Sequence, residues 1–158
     1  MTGREYAELV AAYIAERFAD RGVVVYREVY LGKSIIGKNR RVDVFVHIPD
    51  EKTALAIECK FQEGQGTADE KIPYALNDAS AMWAPAFIAY AGEGFSEGVL
   101  HLLQSSEYAA YCLPDPENLI STPDTKELDH ILASVFGWWD IVLSDKTPFD
   151  LTHWKSSR

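Results

Sequence analysis

Three charged side chains, Asp43, Glu58 and Lys60, have types and spacings that could do chemistry. Asp43 lies in the alternating segment 41–48, and Glu58 and Lys60 lie two residues apart in the apolar segment 54–61. Because successive side chains of a strand point to opposite faces, Glu58 and Lys60 share a face. A hairpin between the two segments would bring two carboxylates and an ammonium group together. Two close carboxylates repel each other, so this arrangement suits Mg²⁺ or Mn²⁺, and Lys60 could stabilise negative charge that develops on a phosphate.

The sequences on either side of these segments carry further charge. Four cations and no anion stand between Lys33 and Arg41, in KSIIGKNRR, and the sequence GQGTADEK would bring Glu70 towards the same edge. Clustered cations can neutralise the phosphates of a nucleic acid. Two alternatives stay open, since a solvated basic loop and an ordinary solvent-facing Glu-x-Lys pair would give the same pattern. The candidate phosphate contacts are Lys38, Arg40, Arg41 and Lys71.

The elements that must position these residues follow from the apolar spacing. Thr2 and Glu5 have the spacing of a capping box, and apolar residues then recur at helical intervals as far as Phe18. The predicted order is a helix at 2–21, strands at 23–31, 41–48 and 54–61, a helix at 67–83, a strand at 84–91, a helix at 95–106, a strand at 107–113 and a helix at 122–137. The successive strands predict a meander, and the later crossovers predict an α/β fold with a mixed central sheet flanked by helices.

The segments GKNRRVDVFV and ALAIECKFQEGQGTADEKIPYAL closely resemble the PD-(D/E)xK nuclease superfamily. The superfamily signature is an acid on one strand followed by (D/E)-x-K on the next, within an αβββαβ core, and the predicted order of elements agrees with it. The resemblance covers residues 3–112 and is most specific over 40–74, although Val42 stands where the superfamily usually has proline. It implies a restriction-endonuclease-like fold over residues 1–113.

The resemblance also implies a function and a set of site residues. Asp43 and Glu58 would be metal ligands, the backbone carbonyl of Cys59 a further ligand, and Lys60 the catalytic lysine, with Gln62 as an auxiliary polar group. The implied protein is an endonuclease that uses Mg²⁺ or Mn²⁺ to hydrolyse phosphodiester bonds in DNA. The basic segment around KNRR would hold the DNA backbone.

Further carboxylates could join this site. The superfamily often adds a glutamate from the first helix, and Glu5 is chosen here over Glu8 and Glu16. The resemblance also implies that Glu70 and Lys71 begin the following helix near the site. Both glutamates are auxiliary to the two main ligands.

Two other functions compete with the nuclease. The first is a nuclease-fold module that binds DNA or a partner subunit without cutting, because the chain is acidic overall and no helix glutamate is clearly placed. The second is a serine hydrolase, because Gly94-Phe95-Ser96-Glu97-Gly98 matches G-x-S-x-G between a predicted strand and a predicted helix. Asp115 or Asp124 followed by His130 or His153 would complete a triad in the order of that family. Few strands precede Ser96, however, and a serine there is more simply a helix cap.

Length and composition describe an ordinary intracellular domain. The 158 residues are 47% hydrophobic, enough for one core, and two cysteines are too few for a disulfide framework. The net charge of −9 is uneven, since residues 1–62 carry 10 basic and 9 acidic side chains and the acidic excess lies beyond them. We find neither a signal peptide nor an apolar run of membrane-spanning length, so we expect a cytoplasmic protein without membrane contact.

Residues 114–158 are predicted to hold a linker, a helix and an aromatic tail. Trp138, Trp139, Phe149 and Trp154 lie in this tail. Aromatic side chains at this density are expected to pack against the same domain, since exposed apolar patches are uncommon in monomers. A domain of this size that cuts both strands of a duplex would be expected to act as a homodimer.

Overall fold

Five strands form one mixed sheet, in the order β1-β2-β3-β4-β5, in the computed structural model, which describes residues 1–64, 66 and 68–158. The strands are β1 (Val24–Lys33), β2 (Asn39–Ile48), β3 (Thr53–Phe61), β4 (Ala86–Ala91) and β5 (Ala109–Tyr111). The pairs β1–β2 and β2–β3 are antiparallel, whereas the pairs β3–β4 and β4–β5 are parallel. The predicted meander and mixed sheet are confirmed.

Helices cover both faces of the sheet. They are α1 (Gly3–Arg17), α2 (Ala68–Ser80), α3 (Glu97–Ser105), α4 (Lys126–Phe136), α5 (Trp139–Leu143) and α6 (Leu151–Ser156). The main core lies between the sheet and α1 with α4, and a second core lies between the sheet and α2 with α3. The predicted α/β class, with an αβββαβ core flanked by helices, is confirmed. Thr67, at which the second helix is predicted to begin, and Gln65 lie outside the described residues.

The capping box fixes where α1 begins. The Glu5 backbone N–H donates to the Thr2 hydroxyl at 3.1 Å, and the Thr2 N–H donates to the Glu5 carboxylate at 2.6 Å. The buried Tyr6 hydroxyl donates to the carbonyl oxygen of Cys112 at 2.7 Å, which ties α1 to the chain just after β5. The first turn of α1 is thereby held against the sheet.

The β1–β2 hairpin (residues 24–48) extends further than the pattern predicts, because α2 anchors it. The Arg40 guanidinium donates to both Asp78 carboxylate oxygens, from Nε at 3.0 Å and from Nη2 at 2.8 Å. Asp78 also accepts the backbone N–H of Ile35 at 3.1 Å. Arg40 and Asp78 are buried, with only 5% and 12% of their side chains exposed. One carboxylate on α2 therefore fixes both the strand and the tip of the hairpin.

Trp83 packs against the same hairpin. Gly32 has a φ of +65°, and a side-chain carbon at this position would come within 2.7 Å of the Trp83 ring. A glycine is required here both for the left-handed backbone and for the close approach of the ring. Trp83 nevertheless remains 80% exposed.

The C-terminal tail differs from the prediction that it packs on the domain. Only Trp138 enters the core, where its ring lies 5.3 Å from that of Phe18 and 5.0 Å from that of Phe136. All residues from 143 to 158 are exposed, including Phe149 at 76% and Trp154 at 44%. The physical reason is that Trp138 already fills the site beside Phe18, and the polar, proline-containing segment 144–150 leads the chain away.

Within the described residues, no helix is both long enough and apolar enough to span a membrane.

Candidate active site

The candidate site lies where β2 and β3 separate. The last paired residues of the two strands are Val44 and Ile57, and beyond them Asp43 and Glu58 no longer pair through the backbone. Instead, the backbone N–H of Cys59 donates to the Asp43 carboxylate at 2.8 Å. This hydrogen bond fixes one oxygen of Asp43 beside β3 and holds the carboxylate next to Glu58.

A polar cavity of about 370 Å³ opens at this point. Its lining comes from one helix and three strands, which meet where β2 and β3 separate. The lining residues are Gly3, Arg4 and Ala7 of α1, Arg27 and Glu28 of β1, Arg41 and Asp43 of β2, and Glu58, Cys59 and Lys60 of β3. The structure thus brings Asp43, Glu58, Cys59, Lys60 and Arg41 together, as the sequence predicts.

Glu58 has an unusual electrostatic environment. Burial and, after it, the negative charge of Asp43 raise the pKa of Glu58 to about 8, although the positive charge of Lys60 opposes the shift. A carboxylate in this position is costly to ionise unless a positive charge comes close. A cation between Asp43 and Glu58 would supply that charge.

The donor set fits a hard divalent cation. The two carboxylates are oxygen ligands of the kind that Mg²⁺ and Mn²⁺ prefer. Across residues 1–64, 66 and 68–158, no cluster of three or more His, Cys, Asp or Glu side chains is arranged to hold a metal. A cation here would therefore take its remaining ligands from water, from substrate or from a backbone carbonyl such as that of Cys59, as Mg²⁺ commonly does.

The charge of the cavity differs from that of the whole chain. Four cations, Arg4, Arg27, Arg41 and Lys60, line it against three carboxylates, whereas the chain carries a net charge of −9. Local charge, rather than the total, determines how an approaching phosphate interacts at short range, because charges beyond about 10 Å are screened by salt. The cavity can accept an anion despite the acidic composition.

The two auxiliary glutamates, Glu5 and Glu70, and the predicted phosphate contact Lys71 lie outside the cavity wall. The Glu5 carboxylate accepts the Thr2 N–H in the capping box, and Glu5 does not line the cavity. Glu70 and Lys71 are exposed on α2 and also lie outside the lining. Glu5 is thus used in the helix cap rather than in the cavity, and neither Glu70 nor Lys71 contributes to the cavity wall.

Gln62 has a different task from the auxiliary role that we predict. Its side chain donates to the carbonyl oxygen of Gly94 at 2.8 Å and accepts the Asp69 N–H at 3.2 Å, and it does not line the cavity. Its backbone carbonyl accepts the Gly94 N–H at 2.7 Å, and a side-chain carbon at Gly92 would overlap that carbonyl. Gln62 therefore clamps the end of β3 to the loop before α3.

Arg40 is not available for the phosphate contact that the sequence predicts. Its guanidinium forms the buried pair with Asp78, whereas Lys38 and Arg41 are exposed. The sequence does not reveal this difference, because the partner of Arg40 lies 38 residues further along the chain. The exposed cations of the hairpin are therefore Lys33, Lys38 and Arg41.

The serine-hydrolase alternative is not supported by the surroundings of Ser96. The Ser96 hydroxyl accepts the N–H of Val99 as the N-cap of α3. His130 lies on α4, where it lines a separate cavity between α1, α4 and α5, and His153 lies on the exposed α6. The first glycine of the segment, Gly94, instead allows close packing, because a side-chain carbon there would come within 2.4 Å of the Gly64 carbonyl oxygen.

Sequence reasoning missed Arg4, Arg27 and Glu28 in the lining of the cavity. Arg27 carried a signal, because it occupies an inward position of β1 in line with Val23 and Val25, where an apolar residue is expected. Arg4 and Glu28 look like ordinary surface charges in the sequence. Their positions depend on how α1 and β1 meet at the end of the sheet.

A comparison of sequences identifies the family of this chain. A family model described as the PD-(D/E)XK nuclease superfamily domain matches residues 2–139. The chain belongs to the PD-(D/E)XK nuclease superfamily. The match extends beyond β5 through α4, so it includes both helices that cover the main core. None of the curated proteins matches the chain.

Two solved structures are distantly similar. A protein of unknown function, AF1548, is 14% identical, with a TM-score of 0.39, over 62% of this chain and 53% of that chain. The MspJI restriction endonuclease, solved in complex with a 27-mer oligonucleotide, is 16% identical, with a TM-score of 0.35, over 97% of this chain and 35% of that chain. The chain thus spans about half the length of the first and about a third of the second.

Proposed function

We propose that this chain is a metal-dependent endonuclease that hydrolyses phosphodiester bonds in DNA. The observation that carries the proposal is the convergence of Asp43, Glu58 and Lys60 on one polar cavity. Burial and, after it, the charge of Asp43 raise the pKa of Glu58 to about 8, and perturbed pKa values of this kind cluster at functional sites. Membership of the nuclease superfamily supports the same reaction class.

Asp43, Glu58 and the carbonyl of Cys59 would hold the metal, Mg²⁺ or Mn²⁺. The Cys59 N–H orients the Asp43 carboxylate through the hydrogen bond at 2.8 Å, so little rearrangement is needed on binding. When bound, the cation would supply Lewis-acid stabilisation of negative charge on the phosphate oxygens. The protein contributes a fixed pair of carboxylates and a cavity open to the substrate.

Lys60 would stabilise charge that appears during the reaction. Water attacks phosphorus, a new P–O bond forms, the bond to the leaving sugar oxygen breaks, and that oxygen ends protonated. Negative charge on the phosphate oxygens and on the leaving oxygen rises in the transition state. An ammonium group two residues from Glu58 in the same wall of the cavity is suited to that charge.

The DNA would approach over the β1–β2 hairpin. Lys33, Lys38 and Arg41 are exposed on the hairpin, and Arg41 also lines the cavity, so these cations would hold the DNA backbone beside the carboxylates. Lys71 would add a contact from α2. Cutting both strands of a duplex would use two such sites, as a homodimer provides.

The test is metal-dependent cleavage by Lys60→Ala and the wild type. We expect the wild type to cut at least one member of a panel of labelled duplexes, junctions and single strands with Mg²⁺ or Mn²⁺. Lys60→Ala should bind the same DNA with similar affinity and lose cleavage, because the lysine acts on charge present only in the transition state. Cleavage that survives in Lys60→Ala would contradict the proposal.

A second candidate is a nuclease-fold module that binds DNA without cutting. The observation in its favour is that Glu5, our candidate third ligand, is used in the helix cap. In that case no divalent cation would support cleavage by the wild type, although DNA binding would remain. Calorimetry separates the two candidates further, because the nuclease requires Mn²⁺ binding that weakens in Asp43→Asn.

A further inference from the structure

Arg27 occupies an unusual position in the wall of the active-site cavity. It pairs with Val44 of β2, one residue from Asp43, and its side chain lines the cavity. The next residue, Glu28, has a φ of 56°, in the left-handed region that residues other than glycine rarely adopt. Such a conformation is retained only where its surroundings require it, and here it occurs opposite Asp43.

The guanidinium of Arg27 lacks a partner within the part of the chain that the structure describes. Its Nε is buried and forms no hydrogen bond, whereas Arg17, Arg21 and Arg40 each donate to a side-chain oxygen. The charge of Arg27 acts on Cys59, because it opposes the rise that burial causes in the pKa of the Cys59 thiol. A buried donor without an acceptor is destabilising, and more so when it is charged. Nothing within the described residues satisfies this buried Nε, and an anion in the cavity would supply the missing acceptor.

The position of the strands separates Arg27 from the reacting groups. β2 lies between β1 and β3, and neighbouring strands are about 4.8 Å apart, so the backbone of Arg27 lies about 10 Å from that of Glu58 and Lys60. Arg27 thus reaches the cavity from the side opposite Glu58 and Lys60, with Asp43 on the strand between them. A guanidinium presents its N–H groups in a planar fork that matches phosphate oxygens, and it stays charged at any physiological pH.

We propose that Arg27 binds a second phosphate of the DNA backbone, one that neighbours the phosphate under attack and does not itself react. This inference rests on the proposed function, because it assigns a substrate contact to the same cavity. Arg27 is a positioning residue rather than a catalytic one. It aligns the strand so that the neighbouring phosphate reaches Asp43, Glu58 and Lys60.

Arg27→Met tests the proposal, because methionine fills similar space without charge. All measurements are made without divalent metal, with EDTA present, so that binding is separated from cleavage. The Tm is recorded in chloride and in inorganic phosphate at equal ionic strength, since a ligand of the native state raises the Tm. The affinity for a fluorescein-labelled DNA duplex is measured in parallel. The matched control is Arg21→Met, which also has a buried, unpartnered Nε but pairs with Asp140 and lies outside the cavity.

We expect opposite results for the two variants. Arg27→Met should have a higher Tm than the wild type in chloride, should lose the rise in Tm caused by phosphate, and should bind the duplex about tenfold or more weakly. Arg21→Met should have a lower Tm, because it loses the pair with Asp140 and the packing on Trp138, and should keep wild-type affinity. A lower Tm of Arg27→Met with unchanged duplex affinity would mean that Arg27 serves only the fold, and would overturn the proposal.

Arg27→Lys provides an independent readout if the methionine variant does not fold. It keeps the charge and loses the fork, so we expect a folded protein with duplex affinity reduced several-fold. Wild-type affinity in Arg27→Lys would overturn the assignment of a bidentate phosphate contact. The proposed cleavage can fail separately: a wild type that cuts no DNA with any cation, but whose binding depends on Arg27, would refute the nuclease and leave the phosphate site intact.

Discussion

At the scale of single residues, Glu58 is the group whose chemistry depends most on its surroundings. The repulsion from Asp43 that makes Glu58 a candidate ligand also lowers the stability of the metal-free protein when Glu58 ionises. Its pKa is raised above the ordinary value of 4.5 to about 8, first by burial and then by Asp43. Between these two pH values the folded protein holds a proton that the unfolded chain releases, so stability falls as the pH rises.

Glu58→Gln should therefore stabilise the metal-free protein at high pH. Glutamine cannot ionise, so the variant should have a Tm a few degrees above that of the wild type at pH values near 8, and the difference should vanish near 4.5. Thermal denaturation followed by circular dichroism in EDTA measures both. Glu70→Gln, exposed on α2, is the control and should follow the wild type at every pH. Equal Tm values for Glu58→Gln and the wild type at high pH would argue against the buried, repelled carboxylate.

The residues of the site illustrate what a sequence can predict. Asp43, Glu58 and Lys60 were predictable because alternation along two adjacent strands is local and the charges break an apolar pattern. Arg4 was not, because its approach to the site depends on how α1 packs on the sheet, and Arg27 broke the apolar pattern of β1 without a local signal for what it faces. In the sequence Glu5 was compatible with two roles, a helix cap and a metal ligand. The structure uses it in the cap, which is the more local interaction.

At the scale of elements, the hairpin and α2 form one unit. The order of elements was predictable from capping and alternation, since both depend on residues within a few positions. The extra length of β1 and β2 was not, because it depends on Asp78, which lies in a different element and bonds both Arg40 and Ile35. The distant carboxylate fixes both ends of the basic segment, so that β1 continues to Lys33 and β2 begins at Asn39, with a turn at 34–38 between them.

Asp78→Ala should be strongly destabilising for this reason. It leaves the charge of Arg40 buried and unpaired, at a cost of about 3–5 kcal/mol. Urea denaturation at neutral pH measures the loss. The double variant Arg40→Met/Asp78→Leu should recover most of it, because no charge is then left buried. A loss below about 1 kcal/mol would instead match an exposed ion pair.

The pH dependence of this pair has a definite sign. The hydrogen bonds from Arg40 hold the pKa of Asp78 below its ordinary value of 3.8. The pair therefore stabilises the protein fully above that pH, and its contribution is lost as the pH falls below 3.8 towards the lowered pKa. The difference between Asp78→Ala and the wild type should shrink in that acidic range and stay constant at neutral pH.

At the scale of the whole molecule, charge is divided between two regions. The basic residues concentrate in 1–62, which hold the hairpin and the candidate site, and the acidic excess lies in 63–158. An acidic remainder repels nucleic acid at long range, whereas the hairpin attracts it within a Debye length. This arrangement would favour binding in one orientation.

DNA binding should therefore depend on a few exposed cations despite the net charge of −9. Lys38→Ala/Arg41→Ala should weaken binding and make the dependence of log K on log salt shallower by about 1–2, since each lost phosphate contact removes about 0.9 for a duplex. Fluorescence anisotropy over a salt series measures the slope. Lys146→Ala/Lys155→Ala removes the same charge from the exposed tail and should keep the wild-type slope. Equal slopes for the two double variants would mean that the exposed cations of the hairpin do not contact DNA phosphates.

The exposed tail should be dispensable for folding. Every residue from 147 to 158 is exposed, so a chain ending at 146 should keep the Tm of the full chain within experimental error. Thermal denaturation of the two chains is the measurement. A clear fall in Tm would mean that the tail packs on the domain, as its aromatic content suggested. The matched comparison is Trp138→Ala, which removes a buried ring stacked on Phe18 and should lower the Tm substantially.

The packing of Trp83 on Gly32 has an optical consequence. The other tryptophans, Trp138, Trp139 and Trp154, all lie near the C-terminus, so Trp83 is the indole beside the basic hairpin. With Trp139 and Trp154 replaced by phenylalanine, the remaining emission would come from a buried ring at shorter wavelength and from Trp83, 80% exposed, at longer wavelength. Quenching confined to the long-wavelength band would then show a ligand arriving at the hairpin, with no label attached to either partner.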